Sequence, residues 1–493
     1  MFAVTEAIAD RAALDVRPAI LGVPGLHGRS YSKYGLGQSL VALPFYLVGK
    51  AAAALLPPSY RLQTLSLACS LLNSVLLAAL AALLPLLARR LGLASGPALW
   101  LALLAALATP LWPYAGTFFS EPLIALCLVV ALLGVWPRSA APPPPGRTAA
   151  GPLMAGLALG VAALTRLDSL LYAPPVLAAA WAWTPPGRRL GAVTLLALPV
   201  IGALAAIGWY NAARFGSPLQ SGYGRGAMGE AMDLVTQRSW PSVAEGAWNL
   251  LASPGKGLIF YAPLTLLAPL GAWRLWRAGH GGAVALLGAL CLTDWLAHAN
   301  VLIRWLGGWA WGPRFLVPIV PLLVLLAGGL LVGPRRPRGA RPAVAVLALA
   351  GLLGQVPAVL ADYHPYLDAL VQRYSQGPHD AQAPYRAEQA YVPSVTLSPI
   401  VGQWRLALDR RTWQAQKDWG HRSPLAIGAG RAYGPPVPRT WWATLASEGV
   451  PWTVWAWPLA ALALLGLVGL ALLLWPTKRQ HRSDAVSALH HGY

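Results

Sequence analysis

The chain has 493 residues, is 56% hydrophobic and only 11% charged, with a mean hydropathy of +0.53. A soluble domain carries about 25% charged residues, so these values exclude an ordinary soluble protein and point to an integral membrane one. The formal charge of +20 is carried largely in short clusters between apolar runs, such as Arg89-Arg90, Arg188-Arg189 and Arg335-Arg336-Pro337-Arg338. That is the pattern of cytoplasmic loops under the positive-inside rule, not of a nucleic-acid-binding face.

The first 30 residues contain Asp, Glu, Arg and Pro and lack the apolar core of a cleavable signal. The stretch Tyr31-Ser32-Lys33-Tyr34-Gly35-Leu36-Gly37-Gln38-Ser39-Leu40 follows, at the edge of an apolar region. Segment 36–56 is long enough to span, but Pro44 and Lys50 interrupt it. A lysine at the centre of a span costs about 2.5–3.5 kcal/mol on insertion scales. Eleven runs read as spanning helices, at about 62–88, 97–114, 120–136, 151–166, 168–184, 190–212, 257–276, 283–300, 313–332, 343–361 and 454–475.

Charge decides the topology. With 36–56 lying along the membrane surface and the N-terminus outside, every arginine cluster and the tail Lys478-Arg479-Arg482 fall inside. The expected architecture is an all-α polytopic bundle. It divides into an outer N-terminal segment, 1–61, with an interfacial helix; a transmembrane bundle, 62–361; an extracytoplasmic segment, 362–453; and a last span with a cytoplasmic tail, 454–493. The proline run 142–145 makes a stiff inner loop. Trp-rich stretches at 305–311 and 452–457 sit where interfacial belts are expected.

Acidic residues number only seventeen, so each one near a membrane boundary is informative. Glu121 opens a span in Phe119-Ser120-Glu121-Pro122. It reads as a helix N-terminal carboxylate or as a group that orients or deprotonates a hydroxyl. Arg166 and Asp168 form a local ion pair at a tight turn, unless Arg166 faces an anionic ligand. Asp294 and His298, four apart, share a helix face; inside a span such a pair either locks packing or serves function. Lys33 is a snorkelling lysine or a phosphate ligand, with Tyr31 and Tyr34 as neighbouring donors.

Several features carry no site. Cys69, Cys127 and Cys291 lie in apolar runs without CxxC spacing, which gives neither a disulfide framework nor a metal site. Gly224-Arg225-Gly226-Ala227-Met228-Gly229 matches GxGxxG, but no strand precedes it, so it reads as a loop. Gly156 and Gly160 form a GxxxG pair for helix packing. No Walker motif is present.

Taken together, these pieces resemble a known family. They are Tyr31-Ser32-Lys33-Tyr34, Pro44-Phe45-Tyr46-Leu47-Val48-Gly49, Phe119-Ser120-Glu121-Pro122, Tyr210-Asn211-Ala212-Ala213-Arg214-Phe215-Gly216-Ser217-Pro218-Leu219, Ser253-Pro254-Gly255-Lys256-Gly257 and Gly307-Gly308-Trp309-Ala310-Trp311-Gly312-Pro313-Arg314. Over roughly 1–335 the order is similar to bacterial GT-C glycosyltransferases, the lipid-carrier-dependent enzymes related to protein mannosyltransferases and the aminoarabinose transferase. The resemblance implies an inner-membrane enzyme that moves a sugar from a polyprenyl-phosphate donor to a lipid, glycan or protein acceptor on the outer face. It names no cofactor beyond that donor and leaves a divalent metal open. Lys33 matches the family's phosphate-contacting lysine, although Lys33-Tyr34-Gly35 replaces Lys-Pro-Pro. Glu121 matches an acidic residue of the second outer loop. Arg314 matches an arginine at the mouth of a later helix, and Arg166 is a further candidate for the phosphate.

The family opens with a helix and a catalytic acid in the first outer loop. Here Met1-Phe2-Ala3-Val4-Thr5-Glu6-Ala7 resembles the sequence just after that acid. The expectation is a misassigned start, with the first helix and its acid encoded upstream; the alternatives are an inactive family member, or Glu6 or Asp10 as a substitute acid. The rival classes are a flippase or transporter of lipid-linked sugars and an O-antigen ligase-like enzyme. Ionisable residues clustered near one side favour an enzyme over a path through both leaflets.

Overall fold

A computed structural model describes residues 1–17, 22–58, 61–137, 149–223, 240–299, 305–308, 310–333, 337–360, 363–377, 380 and 382–408. The expected span at 454–475, the loops at 142–145 and 224–229 and the Trp-rich stretch at 452–457 lie outside them. The described chain is helical, with one two-stranded antiparallel ribbon in which Val23 pairs with Tyr31 and Pro24 with Ser30.

The chain opens with α1 (Phe2–Arg11), which ends where Ala12 turns left-handed. After the ribbon come α2 (Gly37–Ala53) and the long α3 (Arg61–Arg90). α1 packs on α2, and α2 on α3. Lys50, whose charge argues against a span, donates to Asp10 at 2.6 Å, and Tyr46 donates to the other oxygen of Asp10 at 2.7 Å. The lysine therefore ties α2 to α1. Along α3 and just past its end, Leu80, Leu84, Leu87 and Leu91 are fully buried at three- and four-residue spacing. In lipid, such packing contributes through close contact rather than removal from water.

Next come α4 (Ser95–Leu107), α5 (Leu111–Ala115), α6 (Glu121–Val135), α7 (Ala150–Thr165), α8 (Ala173–Trp183) and α9 (Arg189–Phe215). The closest helix packing joins α7 to α9 and α6 to α7. Gly156 and Gly160 lie on that first interface, against the backbone of Leu196 and Pro199. They continue as α10 (Trp240–Ala252), α11 (Leu258–Tyr261), α12 (Ala268–Arg277), α13 (Gly281–His298), α14 (Val320–Gly328) and α15 (Ala340–Leu360). Three shorter helices, α16 (His364–Arg373), α17 (Ala383–Tyr391) and α18 (Pro399–Leu408), end the described chain.

Among the described residues, five helical stretches are long and apolar enough to cross a membrane: Thr64–Arg90, Pro186–Phe215, Gly281–His298, Arg314–Leu331 and Ala340–Leu360. Three shorter apolar helices, α4, α6 and α7, accompany them. The chain is thus multi-pass by length and composition. The eleven expected spans are not matched one for one, because proline breaks several of them. The run 97–114 divides at Pro110, where Thr109 Oγ1 donates to Ala105 O at 2.6 Å and accepts from the Leu111 amide at 3.3 Å. The run 257–276 becomes α11, a tight 3₁₀ turn at Pro263–Leu267 and then α12. The run 168–184 starts as a 3₁₀ segment, Leu167–Tyr172, before α8. A proline removes the amide its turn needs and clashes with the preceding carbonyl.

Burial separates the centre from the rim. In Arg314–Leu331, 83% of the most apolar window is buried, against 22% in Pro186–Phe215. The stretch that begins at Arg314 is the hub, and α9 lies at the rim with most of its apolar window exposed.

Candidate active site

The start of α6 carries Glu121, with Pro122 next, where a missing amide costs nothing. The side chain of Glu121 is fully buried. Its Oε1 accepts from Arg314 Nε at 2.6 Å and from Arg166 Nη1 at 3.0 Å. Its Oε2 is buried and has no hydrogen-bond partner among the described residues. A buried carboxylate oxygen without a donor is costly, so this atom marks where a further hydroxyl or amide would be stabilised.

Arg166 stands between α7 and the 3₁₀ segment, in extended backbone with φ −148° and ψ 127°. That turn aims its guanidinium back at α6. Besides Glu121 it pairs in bidentate fashion with Asp168, through Nε to Oδ1 at 3.1 Å and Nη2 to Oδ2. Asp168 Oδ2 also meets His298 Nε2 at 3.0 Å. On its other side His298 Nδ1 lies 2.9 Å from the Asp294 carbonyl and 3.3 Å from its carboxylate. Tyr172 then donates to Asp294 Oδ1 at 2.5 Å. A continuous polar chain thus runs from Arg314 through Glu121, Arg166, Asp168 and His298 to Asp294 and Tyr172. Aromatic rings wall it: Phe315 stacks on His298 at 4.8 Å between ring centres and lies 4.9 Å from the Arg166 guanidinium, and Phe119 lies 4.2 Å from that of Arg314.

Lys33, in the loop before α2, lies within electrostatic reach of Arg314. Its loop is held on three sides. Arg214, itself buried, donates to the Ser32 carbonyl and to Asn211 Oδ1 at 2.9 Å. Gly35 and Gly37 lie so close to Leu164 and Thr165 that a Cβ at either would fall on them. Gly222 backs the Lys33 Cα. The Lys33 ammonium lies 5.3 Å from the Tyr34 ring centre. Burial, and then the Arg314 charge, push its pKa below the ordinary lysine value. Two cations close enough to repel form a setting that an anion would relieve. Tyr31 is buried in the ribbon, edge-on to Phe215 at 6.1 Å.

The structure therefore brings Glu121, Arg166 and Arg314 into contact, with Lys33 within electrostatic reach of Arg314 and Tyr34 against Lys33. Glu6 and Asp10 lie outside this network and belong to the α1–α2 contact instead. The groups that act on Glu6 are Asp10, Arg11 and Arg61, and burial with Asp10 raises its pKa. Asp10 is taken up by Lys50 and Tyr46.

The sequence reading left four residues of this site without a role there. Tyr223 feels Arg166, Tyr34, Asp168 and Arg314, yet it stands in a polar stretch with no motif of its own. Phe119 and Phe315 flank named residues and read only as apolar. Tyr172 needs the fold to meet Asp294, 122 positions away.

No family model and no curated protein matches the chain. Among solved structures it is similar to the crystal structure of ArnT from Cupriavidus metallidurans bound to undecaprenyl phosphate. The identity is 17% and the TM-score 0.47, over 88% of this chain and 76% of that one.

Proposed function

We propose that this protein is a membrane glycosyltransferase that takes a sugar from a polyprenyl-phosphate carrier and passes it to an acceptor hydroxyl on the outer face of the membrane. The observation that carries the reading is Glu121: a fully buried carboxylate clamped on one oxygen by Arg166 and by Arg314, whose charge also acts on Lys33, and open on the other.

In this reading Lys33 and Arg314 hold the lipid phosphate and Arg166 adds charge behind them. The acceptor hydroxyl lies on Glu121 Oε2, and its oxygen attacks the anomeric carbon. The carbon–oxygen bond to phosphate breaks, and the electron pair leaves with the phosphate. Fixed cations stabilise the charge that develops there, usually the largest catalytic contribution in such sites. The hydroxyl proton passes to a carboxylate base, for which Glu121 is the group in place. Donor sugar and acceptor follow from chemistry beyond this cluster. The helices α16 to α18 are the candidates for selecting the acceptor.

The test is transfer from a radiolabelled polyprenyl-phosphate sugar in proteoliposomes, comparing wild type with Lys33→Ala and Glu121→Gln. Loss of label transfer in both is expected. Near-normal transfer in both, from folded protein, would sink the assignment.

A further inference from the structure

Lys256 is the buried charge that the site so far leaves unused. It lies just before α11, in Ser253-Pro254-Gly255-Lys256-Gly257, and is 1% exposed. Among the described residues it forms no ion pair. Its ammonium instead donates to two main-chain carbonyls, Gly308 O at 3.0 Å and Ala310 O at 2.6 Å. A buried lysine spent on two carbonyls of one short loop is a costly way to fix backbone, since the charge gives up its water without gaining an opposite charge. Burial indeed pushes its pKa down to about 7, opposed by Glu388 and reinforced by Arg314.

The loop it holds leads directly into Arg314. Gly307 and Gly308 are both left-handed, with φ 68° and 70°, and Gly312 follows with φ 62°. Three such glycines within six residues leave a free chain many alternatives. The tertiary contacts select one conformation. Lys256 fixes the carbonyls of Gly308 and Ala310. Tyr114 donates to the Trp311 carbonyl at 3.1 Å, and the Trp311 indole donates to Gln355 at 2.9 Å. Arg314 emerges from the end of this loop with its Nε on Glu121.

The segment that carries Lys256 is gripped in turn from the helices beyond the bundle. The Gly255 amide donates to the Val392 carbonyl at 3.0 Å, at the end of α17, and Ser398 Oγ donates to the Pro254 carbonyl at 2.8 Å. Gly255 lies against Tyr391 and Val392 with no room for a Cβ. One lysine thus stands between the 391–398 stretch and the loop that delivers Arg314.

We infer that Lys256 is a positioning residue for the phosphate-binding Arg314, linking the segment after α17 to the lipid-phosphate site by fixing the Gly308 and Ala310 carbonyls; this deepens the function proposed above and rests on it. Lys256 reaches no substrate in this account. Its effect passes through the placement of one guanidinium.

A double-mutant cycle on ligand binding separates that role from a merely structural one. Farnesyl phosphate is titrated, with farnesol as the uncharged control, against wild type, Lys256→Met, Arg314→Ala and the double variant in nanodiscs, and each melting temperature is recorded. Both single variants are expected to bind farnesyl phosphate about tenfold or more weakly, and farnesol as wild type does. The double variant is expected to bind no more weakly than Arg314→Ala alone. Wild-type affinity in Lys256→Met, or a loss that multiplies with that of Arg314→Ala, would overturn the inference. Wild-type affinity in Arg314→Ala would instead overturn the lipid-phosphate reading itself. Should Lys256→Met not fold, the same cycle with Lys256→Gln, which keeps two donors on a shorter stem, gives the same discrimination with a smaller single-variant loss.

Discussion

Arg166 donates to Glu121 at 3.0 Å from 45 positions away, closing the gap between the outset of α6 and the end of α7. Glu121 carries a second guanidinium on the same oxygen, so its charge organises both arginines. Glu121→Gln keeps the shape and one acceptor but leaves two buried cations underneutralised. Breaking a buried pair by removing one partner costs about 3–5 kcal/mol, and losing an acid–base group costs about 10²–10⁴ in rate. The expected outcome is a lower melting temperature together with the collapse of sugar transfer. A normal turnover number in the folded variant would show that Glu121 is only a strut.

Lys33 gives a pH prediction whose sign is fixed. Its pKa lies below the ordinary lysine value because of burial and Arg314. The charge is therefore present at lower pH and is lost as pH rises, earlier than for a free lysine. Affinity for an anionic donor should fall on the alkaline side, read as a rising KM for the polyprenyl-phosphate sugar. Lys33→Arg, which stays charged throughout, should flatten that limb. An unchanged alkaline limb in Lys33→Arg would assign the effect to another group.

How far these groups could be seen in the sequence depends on what each one needed. Glu121, Lys33 and Arg314 stand out because charge is rare in an apolar chain and each sits at the end of a run. Their meeting is set by α6, α7 and the hub stretch packing together, and no local pattern encodes that. Asp294 and His298 show their shared face through four-residue spacing. Their link to Asp168 becomes visible only when α13 lies beside the 3₁₀ turn. The helices broken at Pro110 and Pro263 read as continuous spans because hydropathy counts apolar residues and ignores missing amides. Lys50 shows the same limit: its charge is legible in the sequence, and its pairing with Asp10, 40 positions away, is not.

That pairing makes the N-terminal acids separable from the cluster. Asp10 accepts from Lys50 and Tyr46, and the hydrogen bond and charge of Lys50, with the Tyr46 hydroxyl, outweigh burial to hold its pKa below the usual carboxylate range. Asp10→Asn should loosen α1 from α2, seen as faster amide exchange over residues 2–11. Glu6→Gln should act similarly and more weakly. If both leave the turnover number within about threefold, well short of the 10²–10⁴ expected of an acid–base group, the chemistry belongs to the Glu121 cluster. A loss in either as deep as that of Glu121→Gln would make that residue the catalytic acid or base.

His298 offers the sharpest split between holding the site and binding the donor. Its two nitrogens meet Asp168 and Asp294, and its ring stacks on Phe315, the neighbour of Arg314. His298→Phe keeps a ring for the stack and removes both polar contacts. Asp168 then loses one partner and retains Arg166, so Lys33 and Arg314, the proposed phosphate ligands, stay in place while Arg166 gains freedom beneath Glu121. Small misplacements of a catalytic group cost up to about 10²-fold in rate. The turnover number should therefore fall by about ten- to a hundredfold with KM for the polyprenyl-phosphate donor little changed. Steady-state transfer kinetics at varied donor concentration measure both. A rise in KM with an intact turnover number would place His298 on the donor side of the site instead of behind the carboxylates.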